Sequence, residues 1–266
     1  MYFTKQLIII ASEKGGVGKT TLSLAVYDRL TLEGANPTVI QVDRQRRLSA
    51  AIDSDVLTIA SDPQAQRQDP ALEIRRFSPI MTRIESAAKQ APILIDVGAG
   101  EAGRFAAWAG LVDLQEDLDE WDLKCCVLIP FLAEAESIRQ AAWTADRLHA
   151  ALPKASIAFI ENCRDGEVAL LHPGSDAAVA FTENLLPWLS RCAFSLTMPG
   201  IPAGSWRHFE AASCRFVDVV AMPTSEVMSR TGLARAEAKI ARGDISQWLL
   251  QIFDELNQLL GTRSGD

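Results

Sequence analysis

The stretch Ser12-Glu13-Lys14-Gly15-Gly16-Val17-Gly18-Lys19-Thr20-Thr21 constrains this chain more than any other. It follows an apolar run at residues 7–11 and precedes a helical pattern at 19–33. A glycine-rich loop between a strand and a helix is built to hold phosphate. Its glycines let backbone N–H groups turn inward and approach phosphate oxygens with no Cβ in the way. The following helix adds its N-terminal partial charge and free donors to the same anion. Gly15, Gly16, Val17 and Gly18 form the backbone cradle, and Lys19 supplies a cation for the β- and γ-phosphates. The Thr20 hydroxyl is placed to ligate Mg²⁺, and Thr21 to donate to the α-phosphate. The plain pattern G-x-x-x-x-G-K-[ST] would put glycine at position 13, where Glu13 stands, and a second lysine, Lys14, follows it.

Near-continuous apolar runs recur at 38–42, 93–97, 125–129 and 157–160, with weaker ones at 56–60 and 193–197. Such runs suit strands covered on both faces. Helical patterns at 71–90, 102–112, 133–151, 176–189 and 206–213 separate them. The alternation predicts βαβ units. The expected fold is α/β, of the P-loop NTPase type, with a doubly wound, mostly parallel sheet and helices on both faces. No linker-like or low-complexity tract divides the 266 residues, so one domain is expected, closed by a helical segment at about 226–261. Within it, Ile245, Trp248, Leu249, Ile252, Phe253, Leu256, Leu259 and Leu260 share one helical stripe, with Gly261 as a C-cap. Residues 113–122 carry six acidic side chains and no basic one, which predicts a solvated loop before the strand at Cys125.

The net charge of −8 argues against a dedicated basic nucleic-acid binder, though not against a local basic patch. Five cysteines without a C-x-x-C pair suggest reduced thiols rather than a zinc site or disulfide framework. No run approaches the ~18–20 apolar residues of a membrane span. The first apolar run is too short for a signal-peptide core. A soluble, cytoplasmic protein is expected.

The segment Lys14-Gly15-Gly16-Val17-Gly18-Lys19-Thr20-Thr21 resembles the ParA/MinD family of deviant-Walker ATPases. The resemblance implies that Lys14 reaches across a nucleotide-sandwich homodimer to the partner's phosphates, linking dimerisation to ATP. Residues 40–45 are similar to the family's Asp-x-Asp-Pro-Gln segment: Asp43 and Gln45 match, while Gln41 replaces the first Asp and Arg44 the Pro. Asp43 is thereby implied to orient the attacking water or a magnesium-bound water. Residues 93–100 resemble the family's Walker B and second switch, where Asp96 would hold Mg²⁺ through water. Its glycines would let the loop follow the γ-phosphate. A family proline is absent there, with Gly98 in the nearby position.

Residues 130–137 resemble the proline-led start of the dimer-facing helix, and 159–164 the strand-end Asn-x-Arg that lies against adenine. Asn162 and Arg164 are the corresponding base-contact candidates, because an amide offers both donor and acceptor to an amino-purine edge. Residues 199–210, with Trp206 and Glu210, are faintly similar to the family's last nucleotide-side loop, and no role is assigned there. The resemblance covers roughly residues 5–220. It gives Lys14, Lys19, Asp43 and Asp96 as the catalytic set and Thr20, Asp43 and Asp96 as the metal set.

The implied activity is that of a Mg-ATP-dependent, dimerising ATPase, slow and partner-stimulated. Such a protein acts as a nucleotide switch in plasmid or DNA partition or in cargo positioning. Its partners would be a second copy in the ATP state and a stimulating or cargo-adaptor protein, with non-specific DNA as a candidate surface and the nucleoid as a candidate location. For DNA, Arg235, Lys239 and Arg242 share a helical face downstream of Arg230, and Arg44, Arg46 and Arg47 form a second cluster. For membrane, the polar face of the last helix carries Gln247, Gln251, Asp254, Glu255, Asn257 and Gln258 and no base, so no insertion is expected. Two other readings stay open. One is a weakly hydrolysing regulatory scaffold in plasmid stability or conjugation, kept alive by Gln41, Arg44 and Gly98. The other is a metabolic ATP-dependent ligase or synthetase of the same fold, although His149, His172 and His208 sit in no recognisable acid/base motif.

Overall fold

The computed structural model describes residues 6–260 except 44, 53–54, 61–71, 73–74 and 192–193. Arg44, Cys192, the start of the helical pattern at 71–90, the first residue of the run at 193–197 and the expected C-cap Gly261 therefore lie outside the described residues. The apolar runs form β1 (Gln6–Ala11), β2 (Thr38–Val42), β3 (Val56–Ile59), β4 (Ile93–Val97), β5 (Lys124–Phe131), β6 (Ser156–Asn162) and β7 (Phe194–Met198). They pair in the order β3-β2-β4-β1-β5-β6-β7, every pair parallel. The helices are α1 (Lys19–Leu32), α2 (Arg47–Ala51), α3 (Ser78–Ala87), α4 (Ala102–Leu111), α5 (Leu114–Glu120) and α6 (Ala135–Ala151). After them come α7 (Asp176–Ala180), α8 (Leu186–Leu189), α9 (Trp206–Ala211), α10 (Phe216–Ala221), α11 (Thr224–Thr231) and α12 (Arg235–Leu260).

Both faces of the sheet are covered, and the strand period distributes the core between them. Leu7, Ile9 and Ala11 of β1 join one apolar layer, with α3 to α6; Ile8 and Ile10 join the other, with α1, α2 and α9 to α12. The adjacent Cys125 and Cys126 divide in the same way, one to each layer.

Two segments differ from the sequence expectation. Residues 113–122 are not a loop: α5 occupies them, because Leu114 and Leu118, four apart, bury one face against the core. Its acids fall where they are tolerated, with Glu116 and Asp117 in the first turn and Asp119 bonded to Lys154 at 2.8 Å. The pattern at 176–189 is not one regular helix, since a π-helical turn at Phe181–Leu185 separates α7 from α8 just ahead of Pro187. Proline has no N–H to continue the ladder and crowds the preceding turn, which accounts for the break.

The last helix is 26 residues long and docks on the α1 face. Ile245, Trp248, Leu249, Ile252 and Leu256 are buried, as the stripe predicts. Part of what reads as its polar face is also engaged. Asn257 Oδ1 accepts from Arg29 Nε of α1 at 2.7 Å, and Glu255 accepts the Thr197 N–H of β7 at 2.9 Å. Among the described residues no helix is long and apolar enough to cross a membrane. Ile252, 1% exposed, tests the docking. Ile252→Ala should cost about 2–5 kcal/mol in urea unfolding. An unchanged midpoint would mean that the helix does not pack on the body.

Candidate functional site

Ile10, Asp96 and Gln41 lie abreast in neighbouring strands, so the carboxyl ends of β1, β4 and β2 converge on one edge of the sheet. Ligand clefts in open α/β sheets form at such an edge. The phosphate loop leaves β1 there. Gly18, at φ +93°, must be glycine on two counts: the left-handed backbone, and a Cβ that would lie 2.6 Å from Asn162 Nδ2 and 2.7 Å from Met198 Cε.

Lys19 is 8% exposed, and its ammonium donates to the Lys14 carbonyl at 2.7 Å. Burial lowers its pKa to about 8, against the opposing pull of Asp96, Asp43 and Glu13. Asp96 is buried at the end of β4 and accepts from Ser23 Oγ at 2.9 Å. Burial raises its pKa to about 6, partly offset by Ser23 and Lys19. Asp43 is half-buried, and one of its oxygens accepts the Gln45 N–H at 3.1 Å. The structure thus gathers Lys19, Asp43 and Asp96 around the loop. Gly98 closes against Asp43: its N–H donates to the Val42 carbonyl at 2.8 Å, and a Cβ would sit 2.8 Å from that oxygen. This close approach of two strand ends explains a glycine at position 98.

Lys14 is half-buried, and its side chain does not line the cleft that Gly15, Gly16, Lys19, Thr20 and Thr21 line. Asn162 and Arg164 do line it, but both also brace the loop. Asn162 Nδ2 donates to the Val17 carbonyl at 3.0 Å, while its Oδ1 accepts the Arg164 N–H at 3.1 Å. Arg164 Nη1 donates to the Gly16 carbonyl at 3.0 Å, and its Nε to Asp165 at 2.9 Å. One donor and one acceptor of the Asn162 amide are therefore committed to backbone.

Residues without an assigned role in the sequence also shape the site. Glu13 ties the loop to the second switch: its carbonyl accepts from Gly100 N–H at 3.1 Å and its carboxylate from Gly103 N–H at 3.3 Å, at the start of α4. Thr144 of α6 accepts the Glu13 N–H at 3.2 Å. The misfit with the plain phosphate-loop pattern at position 13 was the available signal. Gln41 is buried, accepts the Ser49 N–H in the first turn of α2 at 3.1 Å, and leaves its Nε2 without a partner. Residues 199–210 form the far wall. There the Pro199 carbonyl accepts from Trp248 Nε1 at 2.7 Å, and Trp206 stacks on Phe216 with centroids 3.9 Å apart. The cleft has a volume of about 1070 Å³.

The basic face on α12 is smaller than its spacing suggests. Arg235 and Lys239 are exposed, but Arg242 Nη1 donates to the Met222 carbonyl at 2.6 Å, capping the end of α10. Arg230 is paired with Glu226, Nε to oxygen 3.0 Å. In the other cluster Arg47 faces Glu210. As for a metal, the Thr20 hydroxyl and the carboxylates of Asp43 and Asp96 are the hard oxygen donors that suit Mg²⁺. Among the described residues no three acidic, His or Cys side chains gather to hold an ion alone. The fit is to an ion that shares its ligands with phosphate and water.

The two shifted groups set a pH signature. A polyphosphate beside Lys19 favours its charged form, so binding should take up a proton between about 8, its folded value, and 10.5, the ordinary one. A cation at Asp96 favours the carboxylate, so binding with Mg²⁺ should release a proton between 3.8 and about 6. In the nucleotide-free chain the same depressed lysine makes stability rise with pH across the upper window, because the unfolded state there binds more protons. Calorimetric titration in buffers of different ionisation enthalpy measures both. Absence of linked uptake at about pH 9 would show that Lys19 is already charged before binding.

The profile of the CobQ/CobB/MinD/ParA nucleotide-binding domain matches residues 8–251. A search of curated proteins finds no significant sequence match. Among solved structures, apo McdA of Cyanothece superposes with a TM-score of 0.55 at 14% identity, over 94% of this chain and 99% of that one. The MinC:MinD cell division protein complex of Aquifex aeolicus gives a TM-score of 0.49 at 19% identity, over 92% and 96%. A variant of Cyanothece McdA in complex with ATP gives 0.49 at 14% identity, again over 92% and 96%. By a family profile that spans most of its length, and with a seven-stranded parallel sheet of the same fold, this chain belongs to the CobQ/CobB/MinD/ParA family of nucleotide-binding proteins.

Proposed function

We propose that the chain, as one domain, is a Mg-ATP-dependent ATPase that dimerises around nucleotide and acts as a switch in DNA partition or cargo positioning. The observation that carries this reading is the divergence of the loop's two lysines. Lys19 is buried and lines the cleft, while Lys14 is half-buried and does not line it, which in this reading leaves Lys14 to a second copy. In this reading Lys19 and the loop N–H groups hold the β- and γ-phosphates, and Thr21 holds the α-phosphate. Lys14 reaches the partner's phosphates and stabilises charge that develops there, as an arginine finger does in other hydrolases. Mg²⁺, when bound with the triphosphate, offsets phosphate charge. Thr20, Asp43 and Asp96 would hold it, and Asp43 would orient the attacking water. Asn162 and Arg164 brace the loop and present what remains of their polar groups to the base. Loss of the γ-phosphate would be felt at Gly98–Gly100 and passed through Glu13 and Gly103 to α4.

Light-scattering mass with ADP, ATP and a non-hydrolysable analogue tests the switch. A dimer should form only with triphosphate, and Lys14→Ala should remain monomeric while still binding ATP. Lys19→Ala should lower turnover at least ~100-fold. Asp43→Ala should trap the ATP-bound dimer. A mass indifferent to nucleotide would remove the trans role of Lys14. If duplex DNA is the positioning surface, its retention by the dimer should fall with salt and with Arg235→Glu and Lys239→Glu together.

A further inference from the structure

Arg47 and Glu210 approach across the mouth of the cleft, Nη1 to Oε1 3.8 Å, with side chains 57% and 48% exposed. Both line the cleft. They come from elements far apart in the chain, the helix that follows Asp43 and the wall at 206–211. Arg47 is placed by specific local structure. Arg46 ahead of it adopts a left-handed backbone at φ 50°, unusual for a residue other than glycine, which turns the chain into α2. Gln41 fixes α2 from below through the Ser49 N–H. Arg47 is thereby the first residue of a short anchored helix and lines the same cleft as Thr20 and Thr21.

We propose that Arg47 is a polyphosphate-binding residue, paired only weakly with Glu210 across the cleft mouth. The proposal rests on the reading of the cleft as a nucleoside-triphosphate site. An ion pair this exposed and this long contributes little. A polyphosphate offers a guanidinium several charged oxygens and paired N–H···O bonds, so Arg47 gains by leaving Glu210 for it. Arg47 lines the cleft opposite Glu210, a position that separates it from the DNA role that its neighbourhood to Arg44 and Arg46 suggests in sequence.

Calorimetric affinities for ATP and for inorganic tripolyphosphate, which has neither base nor ribose, test the assignment. Arg47→Ala should weaken both about tenfold. Arg47→Lys should recover part of the loss, since charge without the planar fork remains. Glu210→Gln should tighten both about two- to threefold, and adding it to Arg47→Ala should change nothing further. Unchanged affinity in Arg47→Ala would overturn the proposal, as would weaker ATP binding with tripolyphosphate unaffected, which would mark a ribose or base contact. Loss of DNA retention at full nucleotide affinity would equally overturn it. Lys19→Ala is the control. If it abolishes binding while Arg47→Ala does nothing, only the Arg47 assignment fails. If it too leaves binding intact, the nucleotide site itself falls and takes this proposal with it.

Discussion

A lysine ammonium buried at the carboxyl edge of a parallel sheet is the constraint on which the rest of the site depends. Removing an unpaired ammonium from water costs several kcal/mol, so Lys19 needs oxygen on every side it can reach. The chain gives it the Lys14 carbonyl, with Asp96, Asp43 and Glu13 as the neighbouring negative charge. The compromise is visible in a pKa lowered to about 8 despite three acids. A polyphosphate would relieve it. The loop is shaped for an anion that the protein itself only imitates with one backbone carbonyl, and its acids sit where a second cation would balance them.

That arrangement must be held rigid, and most of the restraint is remote in sequence. Asn162 and Arg164 reach the loop from the end of β6, Thr144 from α6, Gly100 from the segment after β4 and Gly103 from α4. Trp248 of α12 fixes the Pro199 carbonyl on the far wall. The last helix thus belongs to the cleft's framework as well as to the core. Its Asn257 and Glu255 bond to α1 and β7, the two elements that flank the cleft on that face.

What was legible in the sequence follows from this division. The strands and the phosphate loop could be read because their signals are local: continuous apolar runs, fixed glycine spacing, and acids at strand ends. The acidic run at 113–122 misled, since counting charge overlooks the fact that two leucines four residues apart suffice to dock a short helix. The spacing of Arg235, Lys239 and Arg242 misled differently. It placed them on one face, but the Met222 carbonyl that claims Arg242 belongs to another helix. The bracing duties of Asn162 and Glu13 were hidden for the same reason, because their partners lie on other elements and only the fold brings them together.

Two of the departures from the family pattern each have a physical reason in the structure. Gly98 stands where Val42 and Asp43 come too close for a side chain. Gln41, beside Asp96 in the sheet, replaces an acid with a neutral amide. A second carboxylate there would have lain buried next to an Asp96 already pushed up to about 6, each raising the cost of ionising the other. An amide avoids that repulsion and can still accept the Ser49 N–H that anchors α2, at the expense of an unpartnered Nε2. The substitution exchanges charge at the end of β2 for a fixed α2. The same helix carries Arg47 to the cleft mouth, so the amide that replaces an acid at position 41 also anchors a cation beside the loop.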